Sequence, residues 1–369
     1  MVFLFLILCL KKRRLLVPDF WLMFFLIAIF FAFSYLAHPE NAYWFEREDY
    51  GALNYVFRPD NGLFIYLFIR LINDPNRILK TVKLAGWPMY LYYGRQLMQA
   101  VARGYWIDTD NRGYEIHMSY NLSLGYNALI FVLVFLYCAL EEKKPLDWIG
   151  AAVGLFIILA GGSRGPFLDI GIFFLIYILL KMARSRKKTV LLISLILGFT
   201  ILWIVYPYLL AFLSSILTRV GLSSRFITKL LSGEIATDSG RYQIWAAAWE
   251  MIKAKPWGYG AFGSRPVISQ YIYVAHPHQF FLEVLVDFGV LLGGAIIIWL
   301  ICSTVKLFRM KGLPEWKGVF LVFFARACQL LISLTFWHSI GLWGALAVGV
   351  CMYSARRKGS ITNGRQQNQ

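Results

Sequence analysis

His276-Pro277-His278-Gln279-Phe280-Phe281-Leu282-Glu283 runs on through Asp287-Phe288-Gly289 into a long apolar stretch. Here the one long polar interruption of the chain, residues 207–277, gives way to hydrocarbon-like sequence. Working outward in both directions, the chain is a series of apolar runs of about 20 residues, the length that crosses a bilayer core of ~30 Å at ~1.5 Å per residue. Backbone groups in lipid must be bonded within their own segment, so these runs are read as helices. The expected fold class is all-α: a polytopic helical membrane protein with about ten or eleven transmembrane helices and one large extracytoplasmic loop containing interfacial helices.

Composition agrees. Of 369 residues, 59% are hydrophobic, 17% aromatic and only 15% charged. The formal charge of +17 would suit nucleic acid in a soluble chain. Here the cations lie between apolar runs, so they report topology and not a nucleic-acid partner. Cys9, Cys138, Cys302, Cys328 and Cys351 are scattered through apolar sequence without metal or disulfide spacing and read as small buried hydrophobes. No glycine-rich nucleotide loop and no paired Cys/His metal pattern occurs, so neither cofactor nor metal is expected.

Taken in order, residues 1–10 form an apolar stub followed by Lys11-Lys12-Arg13-Arg14, the reverse of a signal peptide. Spans are expected at 15–37, 62–72, 84–101, 122–140, 146–160, 167–180, 190–206, 279–301, 318–336 and 340–353, with Pro88 kinking the third. The organisation is then N-terminal transmembrane helices over 1–206, the extracytoplasmic loop over 207–277, C-terminal transmembrane helices over 278–355 and a polar tail over 356–369, expected to be disordered. Polar loops at 38–60 and 103–121 share the side of the long loop.

Four positions stand out chemically. Arg164 lies in the hairpin Gly162-Ser163-Arg164-Gly165. It reads either as an anion clamp, its forked donors matched to phosphate oxygens, or as an interfacial arginine reaching headgroups. Arg241 follows Asp238-Ser239-Gly240, a plausible cap, and opens an amphipathic helix whose apolar face is Ile244, Trp245, Ala248, Trp249 and Ile252. Two tryptophans suit a helix lying in the interface. Pro256-Trp257-Gly258-Tyr259-Gly260 ends it. At its N-terminus Arg241 would meet an anion that the free N–H groups already favour; a solvated surface arginine is the other reading. The stretch 210–231, with Arg219, Arg225 and Lys229, reads as a second interfacial helix. His278 can accept a proton near neutral pH, and His276 is its competitor or partner. Glu283 and Asp287 would point away from His278 on a helix. Arg95, inside a span, needs a partner or a cavity.

These motifs, in this order, resemble the bacterial O-antigen ligase and O-antigen polymerase superfamily of integral membrane proteins. The resemblance is carried by Gly162-Ser163-Arg164-Gly165, by Ser239-Gly240-Arg241 leading through a Trp-rich helix into Pro256-x-Gly258-x-Gly260, and by His278-Gln279 followed by nine residues and Gly289. The family's glycine pair is GxxG; here Gly289 and Gly293 are one residue further apart. The resemblance covers about 121–305 well and the earlier part more loosely. It implies metal-independent glycosyl transfer at the outer face of the cytoplasmic (inner) membrane of a bacterium. Arg164 and Arg241 would hold the diphosphate, His278 would be catalytic, and His276 and Ser163 would be accessory. It further implies as partners an undecaprenyl-diphosphate-linked glycan, an acceptor glycan or lipid, membrane lipids, and a flippase and chain-length regulator proteins. The reaction expected is polymerisation of surface polysaccharide repeat units (O-antigen, capsule or exopolysaccharide). The alternative is ligation of the glycan to an acceptor such as lipid A-core in lipopolysaccharide. A transporter or flippase of lipid-linked sugars is a further alternative of another class, and Arg95 and Arg326 are the only residues that favour it.

Charge sets the orientation. The turns at 11–14, 74–83, 141–147, 181–188, 306–317 and 356–358 carry 21 Lys/Arg, against 5 in the short loops at 38–60, 103–120 and 161–166. Lys/Arg-rich loops stay in the cytoplasm, so the 207–277 loop is outside and the C-terminus inside. A reporter that works only outside the cytoplasm, fused after Lys358, is expected to be silent; a fully active fusion would reverse the topology.

Overall fold

The computed structural model describes residues 17–109, 115–118, 121–163, 165–184, 241–272 and 275–366, together with isolated residues between 208 and 219. The stub, Arg164, the expected span 190–206, nearly all of the second interfacial helix and the cap at Asp238-Ser239-Gly240 lie outside them. The longer helices are α1 (Pro18–Ala37), α2 (Gly62–Ile72), α3 (Pro75–Arg103), α4 (Leu122–Glu142), α5 (Pro145–Gly161), α6 (Gly165–Arg184), α7 (Arg241–Ala254), α8 (Phe280–Arg309), α9 (Pro314–Ala327) and α10 (Ile340–Gln366). Among the described residues four helices are long and apolar enough to cross a membrane (α1, α4, α6 and α8), and α2 and α5 are shorter apolar helices. The fold is that of an all-α polytopic membrane protein. The chain divides into two compact units: residues 1–78 with 238–369, and residues 79–237.

In the second unit α4 and α5 form an antiparallel hairpin. Asn121 caps α4 by accepting the Leu124 N–H at 3.1 Å. Lys143 turns the chain in the left-handed region and Pro145 opens α5. Lipid is as apolar as leucine, so this pairing depends on close packing more than on water exclusion. Small residues let the helices approach, and the Phe135 ring is seated where a Cβ on Gly150 would fall, 2.5 Å from its Cδ1. At one end Lys83 pairs with buried Asp147 at 3.0 Å. The loop after α3 contains a two-stranded antiparallel hairpin, β1 (Trp106–Thr109) with β2 (Glu115–Met118). Arg95 lies exposed in the last third of α3, which is continuous from Pro75 and carries the basic turn on its first coils.

In the first unit Asp19 of α1 accepts from Arg70 of α2 at 2.7 Å and from Tyr66 at 2.6 Å, and α10 packs against α2 and α9. The loop 38–60 is built of short turns and is clamped from outside its own sequence. Buried Arg265 donates to the carbonyls of Trp44 at 3.1 Å and Tyr50 at 2.6 Å. The expected span 318–336 stops early: α9 gives way to a 3₁₀ turn at Cys328–Leu331 and irregular chain. The tail expected to be disordered continues α10 to Gln366. No proline follows Tyr353 to stop it, and each residue added to an existing helix gains a backbone bond.

The largest departure from the sequence reading is in α8. The expected span 279–301 is not one rod: Gly289 sits at φ 76°, ψ 172°, and breaks the helix. Only residues 290–309, about 30 Å at ~1.5 Å per residue, remain to cross the membrane, and the apolar segment 280–288 before them is a separate short helix. Gly293 allows the halves to meet, since a Cβ there would lie 2.8 Å from the Val284 carbonyl oxygen. At Gly289 a Cβ would fall 2.4 Å from the Trp257 carbonyl carbon. Gly289→Ala therefore combines a cost of roughly 1–3 kcal/mol for a Cβ in an essentially glycine-only backbone region with a backbone clash, and is expected to lower the melting temperature of the detergent-purified protein and its yield. Gly294→Ala, with open space around it, is expected to leave both unchanged or raise them. Equal stability of the two variants would contradict this account of the break.

Candidate active site

The break exposes backbone groups that a continuous helix would pair, and in apolar surroundings each unpaired group costs several kcal/mol. The segment after α7 supplies the partners. Tyr259 N–H donates to the Val286 carbonyl at 2.8 Å, Gly260 N–H donates to the Asp287 carbonyl at 3.0 Å, and Val290 N–H donates to the Pro256 carbonyl at 2.7 Å. The sequence Pro256-Trp257-Gly258-Tyr259-Gly260 therefore ends α7 and also mends α8.

That pairing fixes α7 on the first half of α8. Ile244, Ala248, Met251 and Ile252 of α7 bury against Ile268 and Val286. The buried face differs from the expected one by a residue: Met251 is inside and Trp249, 49% exposed, is outside. The helix is thus packed on protein along one side and does not simply lie in the interface. Trp245 has a polar task, its indole N–H donating to the Pro277 carbonyl at 3.1 Å.

This bond holds the turn that carries the histidines. Ala275 and His278 both adopt left-handed backbone, φ 52° and 54°, which is uncommon for residues with a Cβ and concentrates at functional sites. The His276 and His278 rings lie 4.1 Å apart, and His276 is buried. Gln279 then caps α8 by accepting the Leu282 N–H at 2.7 Å. Both ring nitrogens of His278 are sealed from solvent and, among the described residues, have no hydrogen-bond partner. Burial, and after it the positive charge of Arg241, push the imidazole down to about 4. The ring is therefore neutral at ordinary pH, able to accept one hydrogen bond and donate another.

Glu283 and Asp287 are buried but serve a different neighbourhood, as their helical spacing from His278 indicated. Glu283 accepts from the Thr335 hydroxyl and from the Phe336 N–H at 3.4 Å, and Asp287 accepts from the Trp337 indole at 3.1 Å. Arg265, unremarkable in the sequence except for the proline after it, is the buried cation of this region. Burial pushes its guanidinium down to about 10, still charged at neutral pH, and Glu283 and Asp287 oppose that shift.

Of the positions singled out, Arg241, His276 and His278 come together in the first unit, Arg241 as the first residue of α7. Ser163 belongs to the second unit. It is fully buried, and its hydroxyl donates to the Leu122 carbonyl at 3.1 Å, tying the hairpin end to α4. Arg164 follows it, outside the described residues. Arg326 is buried in α9 and hydrogen-bonds Gln329, so it lines no evident path.

No curated protein and no solved structure matches the chain. A family model does: residues 149–299 match the family described as O-antigen ligase, a segment that contains Arg164, Arg241, His278 and Gly289.

Proposed function

We propose that this protein is a bacterial membrane glycosyltransferase that takes a glycan from undecaprenyl diphosphate at the outer face of the cytoplasmic membrane and joins it to the next repeat unit of a surface polysaccharide. The observation that carries the reading is the sealed, neutral His278 imidazole, both nitrogens open, within reach of the charge of Arg241.

The chemistry follows from that pair. The acceptor hydroxyl donates to a His278 ring nitrogen, and its oxygen forms the new bond to the anomeric carbon. The bond from that carbon to the diphosphate oxygen breaks, and its electrons leave with the diphosphate. The hydroxyl proton passes to His278, which is the costly product in a buried site beside an arginine. The negative charge gained by the diphosphate offsets that cost, because opposite charges interact more strongly where water is excluded. Arg241, the first residue of α7, meets the diphosphate with its guanidinium, at a helix end whose dipole favours an anion. Arg164 is given the same task by its motif.

The match to a family described as O-antigen ligase favours a second reading, transfer of the finished glycan to an acceptor such as lipid A-core. The two differ in what accumulates when the protein is disabled: single repeats on the lipid carrier for a polymerase, finished polymer on the carrier for a ligase.

General-base help is worth roughly 10²–10⁴-fold. His278→Ala is expected to abolish detectable polymer in cells at normal membrane level, with lipid-linked single repeats accumulating. Arg241→Lys and Arg164→Lys keep charge but lose the fork, and each is expected to cut polymer sharply. Wild-type polymer in all three variants would refute the proposal.

A further inference from the structure

We propose that Trp245 is a positioning residue for His278: through its hydrogen bond to the Pro277 carbonyl, α7 holds the histidine turn in the backbone state that keeps the imidazole beside Arg241. The inference rests on the role given to His278 above.

Among the described residues no side chain hydrogen-bonds the ring of His278, and the nearby carboxylates on α8 are engaged by residues 335–337. Its direction must come from the backbone. The Pro277 carbonyl belongs to the peptide plane that joins Pro277 to His278, so anchoring its oxygen fixes how the next residue leaves that plane. The next residue is in the left-handed state at φ 54°, which a residue with a Cβ adopts only when its surroundings impose it. Trp245 Nε1 supplies the anchor at 3.1 Å. The indole can only donate, so the bond has one sense.

The position of Trp245 links two halves of the reaction. It lies four residues after Arg241, and residues so spaced share a helix face. One face of α7 thus presents the diphosphate-binding arginine and, a turn later, the donor that holds the base. Movement of α7 on donor binding would be felt at Pro277. Trp249, a further turn along, is half-exposed and packs beside Lys253, so it serves as the internal control.

Among the described residues the charged and titratable groups facing His278 are Arg241 from α7 and His276 from its own turn. If Trp245 holds the ring in its sealed site, releasing it lets water reach the imidazole, and the histidine moves back up towards its ordinary value near ~6.5. The test uses the full-length protein in nanodiscs, with lipid-linked glycan extracted from a strain lacking this protein, at donor concentrations well below saturation, where the pH profile reports the free protein. Trp245→Phe keeps the ring and removes the N–H. It is expected to lower the rate on the order of tenfold and to raise the acid limb, from about 4, by on the order of one pH unit. Trp249→Phe is expected to match wild type in both. A uniform loss of rate without a shifted limb, or no change at all, would overturn the inference. Diethyl pyrocarbonate modification of His278, mapped by mass spectrometry, needs no activity and covers poor expression: it should be faster in Trp245→Phe, and an unchanged rate would also count against the inference. His278→Ala run alongside separates the two levels. If it is fully active the role of His278 itself falls, whereas an inactive His278→Ala with unaltered Trp245→Phe removes only the positioning role.

Discussion

A broken helix in apolar surroundings must find partners for the backbone groups it frees, and the site follows from that requirement. At Gly289 the carbonyls of Val286 and Asp287 and the N–H of Val290 lose their places in α8 and are taken up by residues 256–260. Because 256–260 is the direct continuation of α7, mending α8 also seats α7. Because 276–278 is the direct lead-in to α8, the same contact brings the histidine turn under α7. Unpaired groups in apolar surroundings are costly, so these backbone bonds seat Arg241 and the His276–His278 turn on α8. The left-handed His278 and its bond from Trp245 are local expressions of that seating.

Electrostatics are partitioned accordingly. The buried acids of α8 are spent on Thr335, Phe336 and Trp337, and Arg265 ties the loop 38–60 to the same body. Among the described residues His278 is left with the ring of His276 and the charge of Arg241. A buried neutral imidazole beside a cation is a poor base until negative charge arrives. In the mechanism proposed above, a diphosphate on Arg241 would supply that charge and make proton acceptance depend on the donor being in place. Water alone would not trigger it, and hydrolysis of the proposed lipid-linked donor is the side reaction such a site must avoid.

Much of this was legible in the sequence because membrane folds are constrained by length and charge. The apolar runs marked α1, α4, α6 and the crossing part of α8, and Pro256 with Gly258 marked the end of α7. Arg241 and His278 stood out because they interrupt sequence that has no other need of them. The break at Gly289 was not legible, since Asp287-Phe288-Gly289-Val290-Leu291-Leu292 is apolar enough to read as one span and glycine is common within membrane helices. Its cause lies thirty residues upstream. Periodicity chose Trp249 over Met251 for the buried face of α7 because hydrophobicity alone does not say which of the two apolar side chains meets Ile268 and Val286. Arg265 was missed because nothing local distinguishes an arginine that finds two distant carbonyls from one that finds water. The GxxG-like pair was visible as a spacing, but its purpose, allowing the two halves of α8 to approach, needed the fold.

The account stands or falls on whether Arg241 and His278 address one ligand. The direct measurement is a cryo-electron microscopy structure of the protein in nanodiscs with undecaprenyl diphosphate. The account predicts diphosphate density at the N-terminus of α7, with phosphate oxygens within ~3 Å of the Arg241 guanidinium and the leaving oxygen facing the His278 ring across a space that fits one hydroxyl. Diphosphate bound elsewhere, with Arg241 turned to water and the His278 pocket still closed, would contradict it.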